Sequence, residues 1–224
     1  MTTDDTATTA EIARLARGTL LPSFHGATAP RWVLDELESG LAGVTLFALT
    51  GNVPSPESLA ALTAQMRKAG DPFVTIDEEG GDVTRLGGHA TGSPYPGNAA
   101  LGAVDDPELT RRIYRSLGAE LAEVGVNFNF APSVDVNTAD DNPVIGTRSF
   151  GSDPELVARH AAASVTGTQE AGVAACAKHF PGHGATVDDS HLSIPLVDAD
   201  LDLLERRELV PFRAAIEAGT RAVM

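Results

Sequence analysis

Cysteine is nearly absent from this sequence. The single thiol, Cys176, rules out a disulfide within the chain and fits a reducing compartment. Lying in the apolar run "GVAACAKHF", it reads as a small buried residue and not as a nucleophile. Basic residues are few beside acidic ones, 16 against 31, for a net charge of −15. A nucleic-acid binder needs a basic face, so none is expected as a partner; a solvated acidic surface is. No apolar run approaches the roughly 20 residues that span a bilayer, so no membrane partner is expected either. The opening "MTTDDTATTAEIARLARGTL" has two early acids and no apolar centre, unlike a signal peptide. No G-x-G-x-x-G follows the first apolar run, which leaves a dinucleotide site without support.

What is present suffices for one large domain. Of 224 residues, 42% are hydrophobic and 21% charged. No low-complexity linker divides them. Residues 1–18 read as a tail and lead-in helix, and 19–224 as the domain. Short apolar runs recur at "TLLPSF" (19–24), "GVTLFAL" (43–49), "PFVTIDEEGG" (72–81), "GVNFNFAPSVDV" (125–136) and "GVAACAKHFPG" (172–182). Each opens into a polar, Gly- or Pro-containing loop, as parallel strands buried on both faces do. Helices lie between them. Ser55 caps one, with Pro56 in its first turn and Leu59, Leu62 and Met66 on one stripe before Gly70. Asp106 caps a second, lined by Leu109, Ile113, Leu117, Leu121 and Val124, and Asp153 a third that runs to Gly172. A last one begins near Asp200, with a break expected at Pro211.

Strand, loop, helix, repeated, predicts an α/β fold with right-handed crossovers. Polar clusters end three strands: Asp77-Glu78-Glu79, Asp135 and Lys178-His179. Reactive groups drawn from several strand ends favour a (β/α)8 TIM-barrel type over a doubly wound sheet. With "TRAVM" (220–224) as the start of a sixth strand, the expectation is a barrel truncated after about five and a half βα units. The last strand would then leave an apolar edge open to self-association.

Three segments could carry chemistry. In "TIDEEGGDVTRL", Asp77 ends a strand, Gly80-Gly81 permit a tight turn and Arg85 follows. The carboxylate and guanidinium could grip a polar ligand, or be a solvated loop with a surface arginine. In "NPVIGTRSFGSDP", Arg148 sits on a Gly-rich loop before a helix, where a surface ion pair is the commoner role. The densest run is "KHFPGHGATVDDSH", residues 178–191, with three of the six histidines. Asp189, two residues before His191, could orient its imidazole and raise its basicity, making it a proton donor and acceptor. Metal binding by His179, His183, His191 and Asp189 is the competing chemistry. Against it, the two nearest histidines flank Pro-Gly instead of sharing a helix, and Lys178 would repel a dication. Structural histidines are the third reading.

The stretches "IDEEGGDVTRL", "FAPSVDVN", "TRSFGSDP" and "KHFPGHGATVDDSHLSIPLVD" together resemble glycoside hydrolase family 3, in its β-N-acetylhexosaminidase branch. The likeness runs from about Leu20 onward. It implies that Asp77, Arg85, Arg148, Lys178 and His179 bind an N-acetylglucosamine unit, and that His191 paired with Asp189 is the general acid/base. It implies no cofactor and no metal. The reaction would be retaining, through a glycosyl-enzyme, with the nucleophilic aspartate beyond the end of this chain. A neutral histidine base need not repel an anion, so phosphorolysis is an alternative, as is a sugar-binding remnant without turnover. The substrates implied are N-acetylglucosaminides such as cell-wall fragments, handled in the cytoplasm. One departure stands out: Thr147 precedes Arg148 where the family commonly has Asp or Asn.

Overall fold

A computed structural model describes residues 3–86, 94–188, 192, 194–197 and 199–224. They fall into two compact units, one of Met1–Ile76 with Glu123–Phe128, the other of Asp77–Ala122 with Asn129–Met224.

The first unit holds α1 (Thr3–Arg17), α2 (Arg31–Glu38), β1 (Gly43–Thr45), α3 (Pro56–Ala69) and β2 (Phe73–Ile76). β1 and β2 are parallel, with Val44 opposite Val74. The α3 signals act as expected: the Ser55 hydroxyl accepts from the Ser58 N–H at 3.2 Å, Pro56 opens the helix, and Leu59, Leu62 and Met66 are fully buried. Burying each such side chain is worth about 1.5–3 kcal/mol. Gly70 follows α3 in extended conformation.

The run at 19–24, expected as the first strand, is not one. Pro22 has no N–H to give to a ladder. Its carbonyl accepts from the Thr45 N–H at 3.0 Å, and the Leu21 carbonyl from the Thr45 hydroxyl at 3.2 Å. The segment lies beside β1 through its acceptors.

The second unit begins at Asp77 and holds α4 (Asn98–Val104), most of α5 (Pro107–Glu123), α6 (Pro154–Glu170), β4 (Ala174–Ala177), α7 (Leu201–Leu203), α8 (Leu209–Glu217) and β5 (Ala222–Val223); the two-residue strand β3 (Phe128–Asn129) falls at the passage between units. β4 and β5 are parallel, and Ser133 bridges Lys178 in the same sense. Asp106 caps α5 through the Leu109 N–H at 3.0 Å and Asp153 caps α6 through the Glu155 N–H at 3.1 Å. One core joins Val134, Ala161, Val165, Ala175, Ala177, Phe212 and Ala215; another joins Leu101, Tyr114, Ala131, Val136, Phe150 and Val157. The break expected at Pro211 takes another form. Leu204–Glu208 make a wider π turn, after which the chain runs helically through Pro211.

The architecture is thus α/β with parallel strands, five of them among the described residues, where a closed (β/α) barrel has eight. Cys176, on β4, is buried as expected, and burial pushes its thiol up to about 11. We expect a thiol reagent at pH 8 to label the native chain at least 100-fold more slowly than the urea-unfolded chain, since only the thiolate reacts and access is closed. Equal rates would contradict the buried placement.

Candidate functional site

The polar strand-end residues of the second unit converge. The Lys178 ammonium, at the end of β4, is almost fully buried and lies 2.6 Å from Asp77 Oδ1 and 2.8 Å from Glu79 Oε1. Glu79 is equally buried and takes a two-pronged grip from Arg148: Nη2 to Oε1 at 2.7 Å and Nε to Oε2 at 2.9 Å. Arg148 Nη2 also stands 3.2 Å from His179 Nε2, and Nη1 donates to the Val144 carbonyl at 3.0 Å. His179 Nδ1 is 2.6 Å from Asp135 Oδ2.

Asp135, fully buried, organises the histidine loop. Its Oδ1 accepts from the His183 N–H at 2.7 Å and the His179 N–H at 3.3 Å, and its Oδ2 from the Ser133 hydroxyl at 3.0 Å. A carboxylate with that many donors stays ionised. Burial pushes Asp135 up, but the His179 imidazole and the two backbone N–H groups outweigh it and hold the carboxyl below its ordinary value. The same contest gives the same sign at Glu79: burial opposes the charge, while the Lys178 and Arg148 cations hold the carboxyl at about 2. Asp77, Lys178, Glu79 and Arg148 therefore alternate in sign, carboxylate to cation, and His179 joins Arg148 to Asp135. Asp77, 22% exposed, and His179, 28% exposed, are its outlets to solvent.

Neighbouring backbone is fixed to match. The Asn98 amide donates to the Arg148 carbonyl at 2.7 Å, and its oxygen accepts from the buried Tyr114 hydroxyl at 2.6 Å. Asn129 exchanges two hydrogen bonds with the Glu78 backbone, at 3.0 and 2.8 Å. The Gly80-Gly81 turn is required as expected, with both residues at positive φ (+76° and +58°). A Cβ on Gly81 would stand 2.6 Å from the Gly97 α-carbon, which is backbone and cannot swing aside. Gly81→Ala should therefore cost about 2–3 kcal/mol in urea unfolding, and a loss under 0.5 kcal/mol would contradict this packing. A cavity of about 210 Å³ opens beside this turn, lined by Glu79, Gly80–Asp82, Gly97–Ala100, Thr147 and Arg148. Thr147 donates its hydroxyl to Asp82 there, on the rim of the cavity.

Of the residues expected from sequence, Asp77, Arg148, Lys178 and His179 come together. Arg85 does not join them among the described residues. Its N–H donates to Glu78 Oε2 at 2.6 Å and its guanidinium to the Thr84 carbonyl at 3.3 Å. Glu78, buried, draws the backbone of Arg85 and Leu86 onto its carboxylate. Asp189 and His191 lie outside the described residues, so the expected dyad has no geometry here. Among the described residues no three His, Cys, Asp or Glu side chains are grouped to hold a metal ion. Glu79 and Asp135 stand in the sequence as strand-end acids with no role marked by their neighbours. The bond from His179 to Asp135 spans 44 residues, and nothing in local spacing announces it.

An α/β chain with buried, alternating charges at its parallel strand ends has the makings of a polar-ligand site at the crown of a (β/α)-type domain. The family model "Glycosyl hydrolase family 3 N terminal domain" matches residues 26–224, and the chain belongs to that family. It is 39% identical over 198 residues to beta-hexosaminidase A of Pseudoalteromonas piscicida, covering 83% of this chain and 33% of the relative. It is 39% identical over 192 residues to a beta-hexosaminidase of Thiobacillus denitrificans, covering 82% of this chain and 52% of the relative. The chain thus spans between a third and about half of these relatives. A glycoside hydrolase family 3 beta-N-acetylglucosaminidase from Paenibacillus superposes with a TM-score of 0.87 at 42% identity, over 93% of this chain and 40% of that one. NagZ from Neisseria gonorrhoeae, in complex with N-trifluoroacetyl-D-glucosamine, gives 0.84 at 32% identity, over 93% and 63%.

Proposed function

We propose that this chain supplies the sugar-gripping half of a β-N-acetylhexosaminidase active site. In this reading residues 19–224 belong to a (β/α) barrel that binds terminal β-linked N-acetylglucosamine. The observation that carries it is the buried run Asp77–Lys178–Glu79–Arg148–His179–Asp135. Burying that many charges costs several kcal/mol per ion before pairing, and a structural role would be met as well by apolar packing. Such a cluster earns its place by presenting fixed donors and acceptors to a polyhydroxylated ligand. Asp77 Oδ would accept from sugar hydroxyls, while the ammonium of Lys178 and the Nε2 of His179 meet the remaining ones. Ionic hydrogen bonds of this kind are worth about 1.5–3 kcal/mol each.

His191, oriented by Asp189, is the general acid/base of this proposal: it protonates the departing glycosidic oxygen, then draws a proton from water. The attacking carboxylate implied by the family likeness is assigned to no residue of this chain. Arg85 is a further sugar contact in this proposal. Cell-wall fragments in the cytoplasm are the substrates and setting we infer from the family. Release of a chromophore from an N-acetyl-β-glucosaminide, assayed in the protein that carries this chain, tests the reading. His191→Ala should lower kcat by about 100-fold or more, and His191→Ala with undiminished turnover of an unactivated glycoside would refute the assignment.

A further inference from the structure

Seven residues make α4 too short to hold its place alone, so contacts along it must fix it. Asp105 caps its C-terminal end in the left-handed region, at φ +51°. The Asp105 carboxylate takes Arg159 Nη2 at 3.0 and 3.2 Å and stands 3.3 Å from His160 Nε2; both partners belong to α6. The His160 ring, whose Nδ1 is 2.8 Å from the Thr110 hydroxyl, stacks on Phe150 with centroids 5.1 Å apart at 21°. Asn98 and Gly102 share one face of α4, a turn apart. A Cβ on Gly102 would overlap the Phe150 carbonyl, so the helix backbone lies directly on that residue. α4 and α6 thus both bear on Phe150, two residues past Arg148, while Asn98 reaches Arg148 itself.

The Asn98 amide is buried, and its partners dictate its orientation. Nδ2 lies 2.7 Å from the Arg148 carbonyl and 3.5 Å from the Ser133 carbonyl. A carbonyl oxygen only accepts, so the nitrogen must face these two. Oδ1 is left to the buried Tyr114 hydroxyl at 2.6 Å, which therefore donates. Turned over, the amide would set its oxygen against two acceptors. One side chain thus joins α4, α5, the Arg148 turn and the chain leading into Asp135. Ser133 is the residue that bridges Lys178 and gives its hydroxyl to Asp135. The same two stretches of chain meet again in the sugar site, where Arg148 Nη2 stands 3.2 Å from His179 Nε2 and His179 Nδ1 stands 2.6 Å from Asp135.

We propose that Asn98, aligned by Tyr114, is a positioning residue: its amide sets the Arg148 backbone against the strand ends that carry Asp135 and Lys178, and so fixes where the guanidinium meets Glu79 and His179. Its consequence for binding rests on the amino-sugar reading, whereas the placement of Arg148 can be followed without sugar. The experiment compares Tyr114→Phe, Asn98→Leu and the double variant with the parent. It is read on N-acetylglucosamine affinity by calorimetry, on thermal stability, and on the Nε–H signal of Arg148, the group that donates to Glu79. Tyr114→Phe removes a single oxygen and keeps the ring in its core. It should weaken sugar binding about 5-fold, and Asn98→Leu about 30-fold. The double variant should bind no more weakly than Asn98→Leu, because the hydroxyl acts through the amide. The Arg148 Nε–H signal should move in all three.

Folded variants with a lowered Tm but parental affinity and an unmoved Arg148 signal would reduce the amide to ordinary core hydrogen bonding and overturn the proposal. Effects that multiply in the double variant overturn it too, since hydroxyl and amide would then act separately. Should the parent bind no N-acetylglucosamine, the amino-sugar reading fails by itself. The positioning role is then judged on the Arg148 signal, where a shift in Tyr114→Phe upholds it and an unmoved signal sinks it. If Asn98→Leu does not fold, Tyr114→Phe decides alone on the same two readouts.

Discussion

Lys178→Met is expected to cost about 3–5 kcal/mol of stability and to weaken N-acetylglucosamine binding by about 100-fold or more. The ammonium is 2% exposed and stands within 2.8 Å of two carboxylates. Its removal leaves Glu79 buried with Arg148 as its remaining cation and leaves Asp77 without its partner at 2.6 Å. Methionine fills much of the volume, so the loss reports charge and not a cavity. Adding Glu79→Gln to Lys178→Met should recover part of the stability, because the uncompensated carboxylate is gone, but none of the sugar affinity. Urea unfolding and calorimetry read the two separately. A stability loss under 1 kcal/mol from Lys178→Met would show that the buried cluster is not held by this lysine.

The second large effect is acid sensitivity with a defined sign. The Glu79 carboxyl is held at about 2 in the folded chain against an ordinary value of 4.5. A depressed folded value means that its contribution, about 3 kcal/mol, is fully present above pH ~4.5 and is lost as pH falls toward about 2. Asp135 is depressed too and acts in the same direction. Glu78 and Glu208 act the opposite way, since burial raises both; their effect weakens the fold as pH rises through their folded values. The difference between parent and Glu79→Gln isolates the first contribution. Plotted from pH 6 to pH 2, the stability advantage of the parent over Glu79→Gln should shrink by about 3 kcal/mol. A gap that stays constant with pH would mean that Glu79 is not a buried, cation-held carboxylate.

Residues whose partners are near in sequence were legible; those whose partners are distant were not. Ser55, Asp106 and Asp153 cap helices because the N–H groups they serve lie two or three residues on, as the text of the sequence says. Asp77, Arg148, Lys178 and His179 were legible as strand-end and loop polar groups, and three strand or loop ends bring them together. The run at 19–24 has the composition of a strand, but Pro22 offers only an acceptor and no ladder forms. Arg85 reads like a ligand-gripping cation, and the bond from its backbone N–H to Glu78 is one that its sequence did not announce. Asp135 and Glu79 gain their roles from partners 44 and 69 residues away.

The central claim, that this cluster grips an amino sugar, is tested most directly by titrating the chain with N-acetylglucosamine while following the His179 imidazole resonance. The account predicts a saturable shift, absent with glucose at the same concentration and abolished by Arg148→Ala in a protein that remains folded. A folded parent whose His179 signal stays put through concentrations well above the ~1 mM expected of a weak monosaccharide site would contradict it.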